Sequence, residues 1–304
     1  MGLSLLFGIV LIAFGAAPMD WHNAKPLGLD VVTIDQRAHT AVCAAGAPVA
    51  KVRIERHIFG TTADQVAALV ADCGLELVVL HAGVTGYDWR ALQAEWHAGG
   101  WGALVNGHPG VAWWIEVGNE PEFAGMEDGA VARSVTLETY KRLALGIGSG
   151  EQAWREQYPA LRWVAALPLT MDRLQDFMVW VPDNRDGWIN QGGVADWYDA
   201  IAPHVYAHRG MTDSHLWLVY NAAIRWPGVK ACLITEAGVN DRAVQDGMRE
   251  LAGFARWTPC LAVFAFAYFP EGVSWMDDPR SPYNLTDARS WDVMRAYNQT
   301  GRVP

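Results

Sequence analysis

Short apolar runs alternate with longer segments of helical periodicity along almost the whole chain. The apolar runs have the length of strands that are buried on both faces, as in a parallel sheet. They cover residues 6–14, 49–56, 75–81, 111–118, 161–168, 199–206, 229–236 and 260–268. The helical patterns cover residues 30–45, 62–73, 88–98, 134–157, 171–180, 212–225, 241–257 and 288–299.

This strict alternation of strands and helices predicts an α/β fold with a parallel sheet and right-handed crossovers. Eight such units close into a (β/α)8 TIM barrel, and a doubly wound open sheet is the main alternative. No linker or low-complexity tract divides the chain. We therefore predict a single domain over residues 1–304.

The apolar run at residues 3–14, LSLLFGIVLIAF, has two interpretations. It resembles the h-region of a signal peptide because small residues follow it, but no Lys or Arg precedes it. It is too short to span a bilayer, which needs about 20 residues. Residues 30–45, with Asp30 as N-cap and Gly46 as stop, predict a first helix that needs a strand before it. We therefore predict the first barrel strand at residues 6–14 and leave the localisation open.

Composition agrees with a large folded core in an acidic chain. Hydrophobic residues make up 51% of the chain and charged residues 18%, and the formal net charge is −10. An acidic chain repels phosphate backbones, so we expect no nucleic-acid partner. The 16 Trp are expected mostly in the core, but a flat indole also stacks on the apolar face of a sugar.

The four cysteines are Cys43, Cys73, Cys232 and Cys260. None lies in a CxxC pair, so neither a zinc site nor a redox motif is indicated. We expect buried free thiols. A disulfide between Cys232 and Cys260 is the alternative, because these two fall on neighbouring predicted strands.

Two glutamates stand at the carboxyl ends of predicted strands, where barrel active sites form. Strand four ends in Asn119-Glu120-Pro121, and strand seven ends in Glu236. Two carboxylates at a barrel mouth suit the cleavage of a glycosidic bond, since one can protonate the leaving oxygen while the other attacks the anomeric carbon. Repulsion between them raises the pKa of one, which then keeps its proton.

These motifs resemble those of the clan A glycoside hydrolases, the retaining barrels that include cellulases, mannanases, β-xylosidases and β-glucuronidases. Asn119-Glu120-Pro121 matches the strand-four motif that carries the acid/base, and Glu236 matches the strand-seven nucleophile. His204-Val205-Tyr206 matches a strand-six motif whose Tyr hydrogen-bonds the nucleophile. Several members also carry an Arg on strand two and a His at the end of strand three, for which Arg53 and His81 are the candidates.

The resemblance implies a retaining enzyme that cleaves O-glycosidic, β-configured bonds in an oligosaccharide or polysaccharide. It implies no cofactor, no metal, and neither a nucleic-acid nor a membrane partner. The residues expected to bind substrate or support the nucleophile are Asn119, His204, Tyr206, Arg53, His81 and Trp275. Trp275 is the nearest Trp to the end of strand eight, which ends in Tyr268 and lacks the Trp that many members place under the sugar.

Strand alternation also places Glu116 on the same face as Glu120, inside the barrel. A buried charge there needs a partner, and we expect Arg53. His81 can instead be a core histidine, Glu120 a helix cap and Glu236 a structural ion-pair partner.

Two other functions remain open at this point. One is a metal-dependent hydrolase on the same barrel, with Asp199, His204 and His208 as ligands. The other is a non-catalytic barrel that binds glycans.

Overall fold

The computed structural model describes residues 24–83, 89–118, 154, 156–166, 199–207, 231–239, 244–268 and 288–304. The strand segments are β1 Leu27–Val31, β2 Val49–Arg53, β3 Leu77–Ala82, β4 Ala112–Val117, β5 Leu161–Ala166, β6 Ala200–Ala202, β7 His204–Ala207, β8 Ala231–Cys232, β9 Ile234–Val239 and β10 Val263–Tyr268. The helices are α1 Gln36–Ala44, α2 Arg56–Phe59, α3 Ala63–Cys73, α4 Trp89–Gly99, α5 Trp101–Gly107, α6 Val244–Trp257 and α7 Ala288–Thr300.

The ten segments form eight parallel strands that close into a ring. Segments β6 and β7 are one strand interrupted at Pro203, which has no N–H for the ladder, and β8 and β9 are one strand interrupted at Leu233. Strand six pairs with β5 and with both parts of strand seven. The ring closes because β10 pairs with β9 on one side and with β1 on the other. The predicted (β/α)8 barrel is confirmed.

The prediction for the first strand is wrong. Segment β1, Leu27–Val31, takes the place between β10 and β2, whereas residues 6–14 lie outside the described residues. Asp30 is therefore a fully buried strand residue, not a helix cap. The N-cap of α1 is Asp35, whose side chain accepts from the backbone N–H of Ala38 at 2.7 Å. The charged Asp30 within this short apolar run made the strand difficult to recognise in the sequence.

The remaining strand and helix predictions agree with the structure where it describes them. The seventh strand continues past Glu236 to Val239, and the short helices α2 and α5 were not predicted. The predicted helices 171–180 and 212–225 lie outside the described residues, as does most of 134–157. No helix in the described part of the chain is both long and apolar enough to cross a membrane.

The lower half of the barrel interior is filled with apolar side chains, as a packed barrel requires. They are Val49, Leu77, Val79, Trp114, Val164, Ala200, Ala202, Leu233, Ala262 and Phe264. A second, larger core lies between the strands and the helices. There Trp154 contacts Trp96 and Trp163, with ring centroids 4.8 and 5.6 Å apart, so these tryptophans serve packing. The interior side chains of the first cluster, which we call the apolar plug, support the residues at the carboxyl ends of the strands.

The expectation of free thiols is wrong, because all four cysteines are paired. Cys43 and Cys73 join α1 to the end of α3, and Cys232 and Cys260 join strand seven to the segment before β10. The second pair is the alternative that the strand order had suggested. The first pair joins two helices, and strand periodicity carries no information about their contact.

Candidate active site

A layer of polar and charged side chains covers the apolar plug inside the barrel. Its members come from strands one, two, three, four, six and seven. They lie at or beyond the middle of their strands, on the side of the barrel where carboxyl ends meet. They are Asp30, Lys51, Arg53, His81, Glu116, His204, Tyr206, Thr235 and Glu236.

A β-bulge in β9 turns Glu236 into this layer. Ile234 pairs with Val263 and Ala237 pairs with Ala265, so two residues of β9 oppose one residue of β10. Side chains normally alternate across a strand, and the extra residue breaks that alternation. The side chains of Thr235 and Glu236 therefore both reach polar partners inside the barrel.

The carboxylate of Glu236 is buried, and side chains from β2 and β7 contact its two oxygens. Oε1 accepts from Lys51 Nζ at 2.8 Å and from Arg53 Nη2 at 3.0 Å. Oε2 accepts from the hydroxyl of Tyr206 at 2.8 Å, the contact that the family resemblance implies. His204 Nδ1 lies 3.4 Å from the same oxygen. The orientation of this carboxylate is thus fixed at both oxygens.

Glu116 is a second buried carboxylate, and four donors surround it. Oε2 faces His81 Nδ1 at 2.9 Å and Lys51 Nζ at 3.1 Å. Oε1 faces Thr235 Oγ1 at 2.8 Å and His204 Nε2 at 3.3 Å. An ionised carboxylate only accepts, so the histidine nitrogens that face it carry their protons. His204 thus lies between the two glutamates, with Glu116 Oε1 beside Nε2 and Glu236 Oε2 beside Nδ1.

Glu116 lies inside the barrel as predicted, but the prediction of its cationic partner is wrong. The cation in contact with Glu116 is Lys51, whereas Arg53 Nη2 donates to Asp30 Oδ2 and to Glu236 Oε1, both at 3.0 Å. Lys51 stands two positions before Arg53 and so points to the same face of β2.

The surrounding charges keep both glutamates ionised. Burial alone would raise the pKa of Glu236, but His204, Lys51 and Arg53 hold it well below its ordinary value. Burial likewise opposes ionisation of Glu116, and Lys51 together with His81 and His204 holds its pKa well below the usual range. A carboxylate in this state is ready to act as a nucleophile near neutral pH.

The other titratable groups of the layer respond to the same field. Burial disfavours the ammonium of Lys51, but the neighbouring carboxylates outweigh burial and raise its pKa. Burial raises the pKa of Asp30 against the effect of Arg53 and Lys51. Burial and the same two cations lower the pKa of His81 to about 3, so His81 is neutral at pH 7.

Several residues predicted for the site fall outside the described part of the chain: Asn119, Glu120, His208 and Trp275. Strand β4 ends at Val117, three positions before Glu120, and Gly118 follows with a φ of 82°. A φ in this region favours glycine and turns the chain directly after the strand. The position of Glu120 relative to Glu236 stays a prediction.

Two of the three residues that the metal-hydrolase hypothesis requires, Asp199 and His204, lie in the described part of the chain and have other partners. Asp199 Oδ2 accepts from the backbone N–H of Trp163 at 2.9 Å, and His204 contacts the two buried glutamates. The ammonium of Lys51 already lies among three carboxylates, where a bound cation would otherwise balance their charge.

Sequence reasoning missed Lys51, Asp30 and Thr235. For Lys51 a signal existed, since it alternates with Arg53 along one strand. For the other two none did, because Asp30 had been assigned to a helix cap, and in a regular strand with Glu236 facing inward Thr235 would face outward.

Comparison with known proteins identifies the fold. No protein family matches the sequence, and no curated protein matches it. An exo-β-1,3-glucanase of family GH128, subgroup VI, from Aureobasidium namibiae has a TM-score of 0.51 at 15% identity, over 88% of this chain and 93% of that one. A glycoside hydrolase family 5 enzyme from Prevotella bryantii gives 0.52 at 10% identity, over 92% and 98%. The GH53 catalytic domain of Ignisphaera aggregans gives 0.53 at 13% identity, over 90% and 96%. The chain shares the TIM-barrel fold of these glycoside hydrolases.

Proposed function

We propose that the protein is a retaining glycoside hydrolase that cleaves β-configured O-glycosidic bonds in oligosaccharides or polysaccharides. Glu236 is the nucleophile and Glu120 the acid/base. The observation that carries the proposal is the state of Glu236, a buried carboxylate held by Lys51, Arg53 and the hydroxyl of Tyr206.

The environment of Glu236 suits attack on carbon. A nucleophile must be ionised, and the neighbouring cations hold the pKa of Glu236 low despite its burial. It must also be immobile, and contacts at both oxygens restrict its rotation. Arg53 and His204 touch the glutamate itself, so we assign them to the nucleophile rather than to the sugar.

The two glutamates carry out two displacements. In the first, a Glu236 oxygen bonds to the anomeric carbon while Glu120 gives its proton to the departing glycosidic oxygen, which leaves a glycosyl ester and a Glu120 carboxylate. In the second, Glu120 takes a proton from water, the water oxygen attacks the same carbon, and Glu236 departs as carboxylate. This mechanism requires the two carboxyl groups about 5–5.5 Å apart.

Contacts with the sugar are proposed for residues near the two glutamates. Asn119 would bond the 2-hydroxyl of the sugar at the cleaved bond, a contact that strengthens in the transition state. Trp275 would supply a stacking face. The neutral His81 lies beside Glu116. We expect His81 either to orient Glu116 or to contact the substrate.

The first test is a panel of aryl β-glycosides and polysaccharides, including β-1,3-glucan, to find a hydrolysed substrate. On that substrate, Glu120→Ala should lose roughly 10²–10⁴-fold when the leaving group is poor and far less when it is activated, because an activated group needs little protonation. Glu236→Ala should be inactive on every substrate, since the covalent path is gone.

Azide separates the two roles. Added azide should rescue Glu120→Ala by attacking the glycosyl-enzyme, and the glycosyl azide should retain the anomeric configuration. With Glu236→Ala the azide product should be inverted. Glu76→Ala is the matched control, because Glu76 lies just before β3, at the opposite end of the barrel. If both glutamate variants respond alike to leaving group and azide, or if NMR shows inverted wild-type product, the assignment is wrong.

A further inference from the structure

Lys51 is a fully buried lysine in the middle of the barrel interior. Its Nζ lies 2.8 Å from Glu236 Oε1, 3.1 Å from Glu116 Oε2 and 3.4 Å from Asp30 Oδ2. The contact with Glu236 is a hydrogen bond, and the contacts with Glu116 and Asp30 are ion pairs. Burying such a strongly hydrated charge is costly. The residue paired with Lys51 on the next strand is the apolar Val79, so compensation comes from the carboxylates.

The charge balance of the layer explains why a cation belongs at this position. Asp30, Glu116 and Glu236 bring three carboxyl groups together. Among the described residues, Lys51 and Arg53 are the lysine and arginine side chains that contact these groups. Without Lys51, three acidic groups would share one arginine. Carboxylates in that position take up protons, because like charges in a desolvated site cannot all ionise.

We propose that Lys51 is a positioning residue that keeps Glu236 ionised and correctly turned, and that also keeps Glu116 ionised so that Glu116 can hold His204 against Glu236. Two paths therefore lead from Lys51 to Glu236. One is the direct contact at Oε1. The other passes through Glu116 to His204, whose Nδ1 faces Oε2. The inference rests on the proposed function only where it calls Glu236 the nucleophile.

Removal of Lys51 should therefore change the titration of Glu236. Within the described residues, the charged and titratable groups around Glu236 are Arg53 and Lys51 from β2, Asp30 from β1, His81 from β3, Glu116 from β4, and His204 and Tyr206 from β7. Of these, Lys51 makes one of the two shortest contacts. Loss of an opposite charge at this distance raises a carboxyl pKa by roughly 1–3 units.

The experiment compares Lys51→Met, which keeps length and removes charge, with Lys51→Arg, which keeps charge. The acid limb of kcat/KM against pH should move up by roughly 1–3 pH units in Lys51→Met and stay in place in Lys51→Arg. The loss in Lys51→Met should lie in kcat rather than in KM, because Lys51 is fully buried and has no surface to offer a substrate. Lys25→Met is the matched control, since Lys25 lies outside this layer, just before β1, and its acid limb should not move.

A readout independent of activity keeps this inference separate from the proposed function. The carboxyl carbon of Glu236 can be followed by ¹³C NMR, with Glu236→Gln to assign the signal. If the wild type hydrolyses no glycoside, the proposed function fails, and the NMR titration still decides the role of Lys51. A lower thermal midpoint in Lys51→Met with an unchanged Glu236 titration would reduce Lys51 to a structural ion pair and overturn the inference.

Two further measurements cover the case in which Lys51→Met does not fold. The double variant Lys51→Met/Asp30→Asn removes one cationic and one acidic side chain, which keeps the charge balance, and its Glu236 titration should still move up from that of the wild type because the direct contact with Lys51 is lost. Glu236→Gln in ¹⁵N-lysine protein tests the contact without altering Lys51, and the chain has only four lysines. The Nζ signal of Lys51 should shift and that of Lys25 should not, and an unmoved Lys51 signal would overturn the inference.

Discussion

Tyr206 shows how a single hydroxyl group can act on Glu236 without contributing to the fold. Its O–H donates to Glu236 Oε2 at 2.8 Å, on the oxygen that the two cations do not touch. An interaction of about 1.5–3 kcal/mol with a charged group corresponds to roughly 10–100-fold in rate when it orients that group for attack. Tyr206→Phe should therefore lower kcat/KM by roughly 10–100-fold. The thermal midpoint should stay nearly unchanged, because Tyr206 is only half-buried and water can take the place of its hydroxyl in the folded protein.

The control for that variant is Tyr297→Phe. Tyr297 is buried in α7, and its hydroxyl donates to the backbone oxygen of Lys25 at 3.0 Å, away from the polar layer. This variant should lose stability and keep its kcat/KM. If Tyr206→Phe behaves like Tyr297→Phe, with lower stability and full activity, Tyr206 is a structural residue.

His81 links the polar layer to the pH dependence of stability. Burial and the nearby cations lower its pKa to about 3 in the folded protein, whereas an unfolded histidine titrates near 6.5. Between these values the unfolded chain binds the extra proton, so the free energy of unfolding falls as the pH falls from about 6.5 towards 3. One proton corresponds to a slope of about 1.4 kcal/mol per pH unit.

Substitution His81→Asn should remove about that slope, because an amide can donate to Glu116 in place of Nδ1 but does not titrate. The measurement is urea unfolding at several pH values between 4 and 7. His57 of α2 supplies the control variant His57→Asn, which removes a histidine that lies outside the polar layer. An unchanged slope in His81→Asn would show that His81 is not the group responsible.

At the scale of elements, strand periodicity predicted the positions of strands two to eight because their apolar runs are long and are bounded by polar turns. It failed at strand one, where Gly28 and Asp30 interrupt a short run. Both residues serve the barrel interior. A Cβ at Gly28 would lie 2.3 Å from the backbone oxygen of Val49, so only glycine fits against β2. Asp30 is a member of the charged layer.

The bulge in β9 is the element that no alternation pattern could predict. A regular strand with Thr235 facing inward would turn Glu236 outward, towards the helices. The sequence therefore suggested that the strand ends at Glu236, whereas β9 continues to Val239 and the glutamate lies within it. The motif resemblance singled out Glu236 in the sequence, but the buried surroundings of this residue depend on contacts between strands that are far apart in sequence.

At the scale of the whole molecule, the barrel depends on contacts that bring the first described strand together with the last strand and the last helix. Strand β1 pairs with β10, and Asn298 of α7 exchanges hydrogen bonds with the backbone of Leu27, at 3.0 and 2.8 Å. The two disulfides add covalent links at two other places in the ring, between α1 and α3 and at the entry to strand eight. Such bonds form and persist in oxidising compartments.

The disulfides should stabilise the barrel without affecting its chemistry. They close loops with sequence separations of 30 and 28, for which the loss of unfolded-chain entropy gives roughly 3–4 kcal/mol each. Cys43→Ala/Cys73→Ala and Cys232→Ala/Cys260→Ala should therefore each lower the free energy of unfolding by roughly 2–4 kcal/mol in urea. Activity at neutral pH should persist in both, because none of these cysteines touches the polar layer.

The state of the thiols can be measured directly. The denatured wild type should show no free thiol before reduction and four afterwards, and each double variant should show two after reduction. Yield of folded protein should rise when the chain is expressed in an oxidising compartment, because an uncrosslinked chain must close the β1–β10 contact across almost its whole length against a larger conformational entropy. Four reactive thiols in the folded, unreduced protein, with full stability, would mean that packing alone closes the ring.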